Sequence, residues 1–177
     1  MTNEKILLLS CCAPCSVAVI KTMAEQKADF AVLFYNPNIT PLSEYEKRCD
    51  ENKRVCALYS VPFIELEYDN DRWCTLTKGL KNEPERGKRC DICFEMRLKR
   101  AMEYALSNGF MAVASVLGVS RYKDLNQVNR AADRASKATG CPYTHIEGRK
   151  DGMQELRMAL IKELELYSQT YCGCKVR

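Results

Sequence analysis

Two C-x-x-C pairs are the most informative feature of this sequence. Cys12 and Cys15 form the first pair, which Cys11 precedes, and Cys90 and Cys93 form the second. Thiolates at this spacing can bind one metal centre together. Four thiolates suit a structural zinc ion as well as an iron–sulfur cluster, and the spacing alone leaves both open. Cys11 is a surplus thiol, which a closed four-ligand zinc site does not need.

A third group of thiols, Cys172-Gly173-Cys174, lies near the end of the sequence. A disulfide between these two cysteines would close a small, strained ring, and strained disulfides are labile and oxidising. Gly173 gives the backbone the freedom that such a ring requires. The pair is therefore a candidate redox-active dithiol, with metal ligation as the alternative. The remaining thiols, which we expect to pack as small apolar residues in the core, are Cys49, Cys56, Cys74 and Cys141.

Composition limits the classes of protein to consider. The chain has 177 residues, 46% of them hydrophobic and 28% charged, which suits one globular domain over residues 1–177. A single histidine, His145, excludes multi-histidine metal sites within one chain. No apolar run could span a bilayer and the first residues do not resemble a secretory signal, so we expect a cytoplasmic protein with no membrane partner. In that compartment eleven cysteines indicate metal binding or redox chemistry.

The elements that must position these thiols follow from alternating short apolar runs and amphipathic stretches. Strand followed by helix, repeated, predicts an α/β fold with three layers: a mostly parallel, Rossmann-like sheet with helices on both faces. The predicted strands are Lys5–Leu9, Asp29–Tyr35, Pro62–Tyr68 and Phe110–Leu117, with a short one near Tyr143–Ile146. The predicted helices are Pro14–Gln26, Leu42–Tyr59, Asp71–Leu80, Asp91–Ser107, Asp124–Thr139 and Met153–Tyr167.

Three unusual stretches follow predicted strands directly. They are Cys11 to Cys15 after the first strand, Tyr35 to Asn38 after the second, and Ser115 to Lys123 after the fourth. Ligands of open parallel sheets bind outside the carboxyl ends of the strands. We therefore predict a single site at this edge of the sheet.

Basic residues surround the second C-x-x-C. The stretch from Arg86 to Arg100 contains six basic and two acidic residues. One face of the predicted helix Asp124–Thr139 carries Asn126, Arg130, Arg134 and Lys137. A basic face beside a metal site suits the phosphate backbone of a nucleic acid, although solvated helix faces show the same pattern.

Four sequence blocks resemble the QueH-type epoxyqueuosine reductases. They are CCAPCS after the first strand, FYNPNITPLSEYEKR at Phe34–Arg48, KRCDICFEMRL at Lys88–Leu98 and LYSQTYCGC at Leu166–Cys174. The blocks occur in order over nearly the whole chain. The resemblance implies an enzyme for the last step of queuosine biosynthesis. Such an enzyme reduces the epoxide of epoxyqueuosine in tRNA to the cyclopentene of queuosine, using a [4Fe-4S] cluster and an adjacent iron ion.

The resemblance also implies roles for individual residues. The cluster ligands fall on Cys11, Cys12, Cys90 and Cys93, the redox-active pair on Cys172 and Cys174, and Cys15 near the second iron. The expected partners are the anticodon loop of the tRNA and an unidentified electron donor. The family pattern often has proline at Arg121 and an aromatic residue at Gly148, so this chain departs from it in loops expected to meet the tRNA. The resemblance, the fold rule and the charge pattern together predict the substrate contacts, which are Asn36, Asn38, Ser120, Arg130 and Arg134.

Two other functions remain compatible with the residues. One is a zinc-stabilised RNA-binding module without catalysis, which predicts one zinc ion and no colour. The other is a thiol-redox or sulfur-transfer enzyme without a cluster, acting through Cys15 or the terminal C-G-C. It predicts activity that survives iron chelation.

Overall fold

A parallel sheet forms the centre of the computed structural model, which describes residues 4–174. Within these residues the sheet has four strands: β1 (Ile6–Ser10), β2 (Phe30–Phe34), β3 (Phe63–Glu65) and β4 (Ala112–Ser115). Their order is β3-β2-β1-β4, and all neighbours are parallel. The predicted α/β, Rossmann-like fold is confirmed.

Six helices flank the sheet in the described part of the chain. They are α1 (Ala13–Glu25), α2 (Leu42–Leu58), α3 (Asn70–Leu76), α4 (Lys88–Ser107), α5 (Leu125–Thr139) and α6 (Met153–Glu163). Helix α4 packs against α5, and α1 packs against α2 and α6. No helix between residues 4 and 174 is both long and apolar enough to cross a membrane.

The middle strand β1 shows why the sheet forms where apolar runs occur. Leu7, Leu8 and Leu9 are all fully buried, because helices cover both faces of a parallel sheet and leave no face for polar side chains. The strand ends at Ser10, whose side-chain hydroxyl donates to Asn52 Oδ1 (2.6 Å). The chain then passes through Cys11 into α1 while remaining buried, which places the first cysteines at the carboxyl edge of the sheet.

Several boundaries differ from the prediction in ways that affect the cysteines. Helix α4 begins at Lys88 rather than Asp91, so the second C-x-x-C lies inside its first turns. Helix α6 ends at Glu163, and the rest of the predicted Met153–Tyr167 helix belongs to a non-helical segment. The predicted short strand is a single bridge between Val113 and Tyr143.

The prediction that the four remaining thiols are core residues is confirmed for three of them. Cys49, Cys56 and Cys141 are buried, but Cys74 is exposed. Helix α3 is short and buries its Trp73 side, so the adjacent position faces solvent.

Candidate functional site

A cavity of about 430 Å³ opens where β1, β2 and β4 end. It therefore lies at the edge of the sheet where the sequence predicts a site. Seven of the eleven cysteines line it. They are Cys11, Cys12, Cys15, Cys90, Cys93, Cys172 and Cys174.

Cys11, Cys12 and Cys15 form a compact group, here called the inner thiols. Their Sγ atoms all lie within 4.8 Å of one another, and all three residues are buried. Cys12 is the N-cap of α1, and Pro14 lies at the start of the helix, where a fixed φ is favourable. The Ser16 hydroxyl donates to the carbonyl of Cys12 (2.7 Å). The turn between β1 and α1 thus brings the three sulfur atoms close together.

The second pair reaches the same cavity from α4. Cys90 and Cys93 lie three residues apart, so their side chains share a helix face. The Sγ of Cys90 accepts from the backbone N–H of Arg86 (3.3 Å), and the Sγ of Cys93 accepts from Nη1 of Arg97 (3.6 Å). The compact group contains Cys15, whereas the resemblance pairs the other two inner thiols with these α4 thiols.

Two cations accompany the thiols, of which Arg97 is buried and Lys123 is half-buried. Arg97 is 2% exposed and bonds to both Cys93 Sγ and Asn36 Oδ1. Lys123 places its Nζ 3.7 Å from Cys11 Sγ. Burial alone would lower the pKa of Lys123, but the neighbouring Cys11 thiolate raises it, so the amine stays charged. Both cations favour the thiolate form of Cys11, since their charges act to lower its pKa.

The inner thiols differ in acidity. Hydrogen bonds from Cys12 and Cys15 lower the pKa of Cys11 well below its ordinary value; the charges of Lys123 and Arg97 add to this, while burial opposes it. The pKa of Cys12 rises to about 11, mainly because its proton is engaged with Cys11. Cys11 is therefore the inner thiol that deprotonates first, and metal ligation requires the thiolate.

Cys172 and Cys174, the outer pair, also line the cavity but are only partly buried. Their Sγ atoms are 3.3 Å apart. The hydrogen bond from Cys174 lowers the pKa of Cys172 to about 5, and the same interaction raises the pKa of Cys174. A thiolate beside a protonated thiol is the arrangement from which thiol–disulfide exchange proceeds.

The predicted substrate contacts divide between the cavity and its surroundings. Asn38 and Ser120 line the cavity. Asn36 lies behind the wall: it is fully buried, its Nδ2 donates to the Ser10 carbonyl (2.9 Å), and its Oδ1 accepts from Arg97. Both ends of its amide are thus used inside the protein, and Asn36 does not line the cavity.

The two predicted arginines lie farther out on α5. Arg130 and Arg134 are exposed and do not line the cavity. Nε of Arg134 forms an ion pair with Glu95 Oε2 (2.7 Å). Both belong to the basic face of α5, the helix whose Gln127 lines the cavity.

The loop that borders the cavity, residues 118–123, is here called the rim loop, and it lies within the Ser115–Lys123 stretch that the sequence predicts at this edge of the sheet. Tyr122 in this loop is 84% exposed and also lines the cavity. Arg86 donates to the carbonyls of Tyr122 and Arg121 (both 3.1 Å). Arg149 donates to those of Gly118, Ser120 and Lys123 (2.7, 2.6 and 2.8 Å). Tyr122 was not among the predicted contacts, because the sequence does not show which side chains of a loop are exposed.

Comparison with known proteins agrees with the resemblance of the four sequence blocks. A family model described as "Epoxyqueuosine reductase QueH" matches residues 6–176. The chain belongs to the QueH family. Three relatives named epoxyqueuosine reductase QueH show the range of similarity. Identity is 44% over 172 residues for Acinetobacter baylyi, covering 97% of this chain and 79% of the relative. For the Haemophilus influenzae relative, identity is 43% over 173 residues, covering 97% of this chain and 71% of the relative. For the Thermotoga maritima relative, identity is 33% over 172 residues, covering 96% of this chain and 88% of the relative.

The fold also occurs among solved structures, including the following two. One is the U34-tRNA thiolase NcsA from Methanococcus maripaludis with its [4Fe-4S] cluster, with a TM-score of 0.60 and 13% identity. The match covers 100% of this chain and 63% of the thiolase. The other is a predicted subunit of tRNA methyltransferase from Methanocaldococcus jannaschii, with a TM-score of 0.60 and 9% identity. This match covers 88% of this chain and 74% of the other protein. At these identities the likeness shows the fold alone.

Proposed function

We propose that this QueH-family protein reduces the epoxide of epoxyqueuosine in tRNA to the cyclopentene of queuosine, with residues 1–177 acting as one catalytic domain. The observation that carries the proposal is the single cavity lined by seven thiols. All four sequence blocks that resemble the family contribute residues to its wall. Isolated core thiols would not gather in this way.

The donor set fits a [4Fe-4S] cluster, because such clusters are held by cysteine thiolates. The charges of Arg97 and Lys123, which lie beside the thiols, would offset the negative charge of a thiolate-ligated cluster and influence its potential. When bound, the cluster would supply single electrons, and an adjacent iron ion near Cys15 would act as a Lewis acid toward the epoxide oxygen. The residues proposed to hold the cluster are Cys11, Cys12, Cys90 and Cys93.

The outer pair has the stoichiometry that the reaction requires. Converting an epoxide to an alkene breaks two C–O bonds, releases the oxygen as water and consumes two electrons and two protons. Oxidation of the thiols of Cys172 and Cys174 to a disulfide releases two electrons and two protons. The pair would therefore balance one turnover, after which a separate electron donor reduces the disulfide.

The rim of the cavity would receive the RNA. Enzymes that modify a base commonly take it out of the stack into a pocket, and Asn38 and Ser120 offer polar groups on the cavity wall. The exposed ring of Tyr122 can stack on a base of the anticodon loop. Arg130 and Arg134 lie outside the cavity, where they can contact phosphates that position the RNA.

The test is to purify the protein without oxygen and to measure visible absorption, iron, zinc and acid-labile sulfide. A coloured protein with at least about four iron and about four sulfide per chain is expected. With a reductant, it should convert epoxyqueuosine in tRNA to a product that has lost one oxygen atom, as mass spectrometry would show. A colourless protein with one zinc ion and no conversion would contradict the proposal and favour the RNA-binding module.

A further inference from the structure

The segment 171–174 is attached to the rest of the protein through its backbone. Four consecutive carbonyl groups accept hydrogen bonds from donors outside the segment. The carbonyl of Tyr171 accepts from Arg48 Nη2 (3.0 Å) and that of Cys172 from Arg48 Nη1 (2.9 Å). The next two accept from Thr40 N (2.9 Å) and Arg89 Nη2 (2.6 Å). This attachment fixes the backbone on both sides of each cysteine. The two free thiols are hydrogen-bonded to each other.

Arg48 is the centre of this attachment. It lies on α2 and is 2% exposed, and its third nitrogen, Nε, donates to Glu44 Oε1 (2.8 Å). Its guanidinium carbon lies 5.3 Å from the centre of the Tyr171 ring. The planar guanidinium presents several donors in a fixed geometry, so one buried side chain can hold two successive carbonyls.

Gly173 permits this close approach. Its φ of +118° is a backbone conformation that residues other than glycine rarely adopt. A Cβ at this position would lie 3.0 Å from Ile39 Cγ1 and 3.2 Å from Arg48 Nη1. Glycine therefore serves two purposes here, because it allows the turn and lets the segment lie against the guanidinium.

We propose that Arg48 is a positioning residue for the outer pair, holding Cys172 and Cys174 in the geometry from which their disulfide closes. The proposal rests on the proposed function, in which this pair is oxidised in each turnover. With the backbone anchored, the dithiol has little conformational freedom left to lose when the ring closes. Pre-organisation of this kind favours ring closure, so Arg48 should shift the thiol–disulfide equilibrium toward the disulfide.

The equilibrium can be measured against glutathione. Two glutathione thiols reduce the Cys172–Cys174 disulfide: the S–S bond of the pair breaks, each cysteine sulfur gains a proton, and one glutathione disulfide forms. The reaction is balanced, because the two electrons and two protons that the pair gains come from the two glutathione thiols. Its equilibrium constant therefore reports on the stability of the Cys172–Cys174 disulfide relative to the dithiol.

Two variants disturb the attachment in different ways. Arg48→Lys keeps a positive charge but cannot donate to two carbonyls with one planar group, and Gly173→Ala leaves Arg48 in place but displaces the segment. The matched control is Arg54→Lys. Arg54 lies on the same helix and also donates to a backbone carbonyl, that of Leu164 (3.0 Å), outside the segment.

The experiment equilibrates anaerobically purified full-length proteins in glutathione buffers, blocks free thiols by alkylation and quantifies the outer pair by mass spectrometry. Cleavage after Lys162 and Lys175 releases a peptide whose only cysteines are Cys172 and Cys174. For Arg48→Lys and Gly173→Ala we expect the constant for disulfide formation to fall about tenfold, or about 30 mV for this two-electron couple. For Arg54→Lys we expect no change.

Two results would overturn the positioning role. One is an unchanged constant in both Arg48→Lys and Gly173→Ala, and the other is an equal fall in the Arg54→Lys control. Melting temperatures and iron content of the same samples show whether a variant has lost its fold. Because the constant is measured without tRNA, the positioning role can fail while epoxide reduction by the wild type stands. Equally, the role can hold in a protein that reduces no epoxide.

Discussion

The inner thiols and the outer pair face the same cavity but are held by different means. The inner thiols sit at the junction of β1 and α1, where the buried strand leads directly into the helix. The outer pair is held by hydrogen bonds from Arg48, Arg89 and the Thr40 backbone to its carbonyls. The rim loop resembles the outer pair in this respect, since Arg86 and Arg149 hold it by its carbonyls.

This difference matches what each group would have to do. Metal ligands need a fixed geometry, and thiols at a strand–helix junction cannot move without disturbing the core. Thiols that exchange electrons with an outside donor, and a loop that meets RNA, must instead be reachable. Segments held by a few hydrogen bonds, each contributing about 1 kcal/mol net, can open locally while the core stays folded.

The largest effect should come from the inner thiols. Cys12→Ser should abolish iron binding and turnover, because a hydroxyl is a poor substitute for a thiolate ligand. Visible absorption, iron content and epoxide reduction measure this. The matched control is Cys56→Ala, which removes a thiol that is as buried as Cys12 (both 1% exposed) but lies outside the cavity lining. Full iron content in Cys12→Ser would remove this residue from the ligand set.

The outer pair should behave differently. Cys174→Ser should retain the iron of the wild type, yet repeated turnover supported by a dithiol reductant should fall to background, because no disulfide can form. A single turnover driven by a strong one-electron reductant should survive. Cys74→Ser, which alters an exposed thiol, should match the wild type in all three measurements. Loss of iron in Cys174→Ser would show that the outer pair ligates metal instead.

A smaller effect should follow at the rim. Tyr122→Ala should raise KM for tRNA about tenfold with kcat unchanged, since stacking of an aromatic ring on a base contributes about 1–3 kcal/mol. Tyr122→Phe should keep the wild-type KM. Met111→Ala, at a side chain that is 60% exposed and outside the cavity lining, is the control. Equal KM values for the alanine variant and the wild type would exclude stacking at this position.

The smallest effect should come from the basic surface of α5. Arg130→Ala combined with Arg134→Ala should lower tRNA affinity by about threefold and reduce the slope of log K against log salt by about two. Stability should hardly change, because the ion pair of Arg134 with Glu95 is exposed and such pairs contribute about 0–1 kcal/mol. Fluorescence anisotropy with labelled tRNA at several salt concentrations would test this. An unchanged slope would place the RNA elsewhere.

Much of the fold could be predicted because parallel strands covered on both faces appear as continuous apolar runs. The four predicted strands contain β1 to β4 almost entirely, and only Ser10 lies outside its predicted strand. The ends of the strands were predicted less accurately. The predicted strand Pro62–Tyr68 is observed as Phe63–Glu65, because its pairing stops at Glu65, opposite Phe34, the last residue of β2. Local pattern cannot show where a neighbour ends.

The site was predictable where it depends on spacing and hidden where it depends on burial. Cys90 and Cys93 are three residues apart, so any helix through them gives them a common face. Arg48 and Arg97 look like solvated helix residues in the sequence, yet both are 2% exposed. Cys56 and Cys74 are the same residue type in predicted helices, and only one of them is buried.

The sequence by itself determined the family, the alternating order of strands and helices, and a surplus of thiols beyond any four-ligand site. These follow from residue types and short spacings, which local physical chemistry can interpret. Only the tertiary structure decided that Cys15, Cys93 and Cys172, far apart in the chain, face one cavity. It also decided which cations are buried beside them and which arginines hold the outer pair. Such contacts join distant segments, so they depend on how the whole core packs.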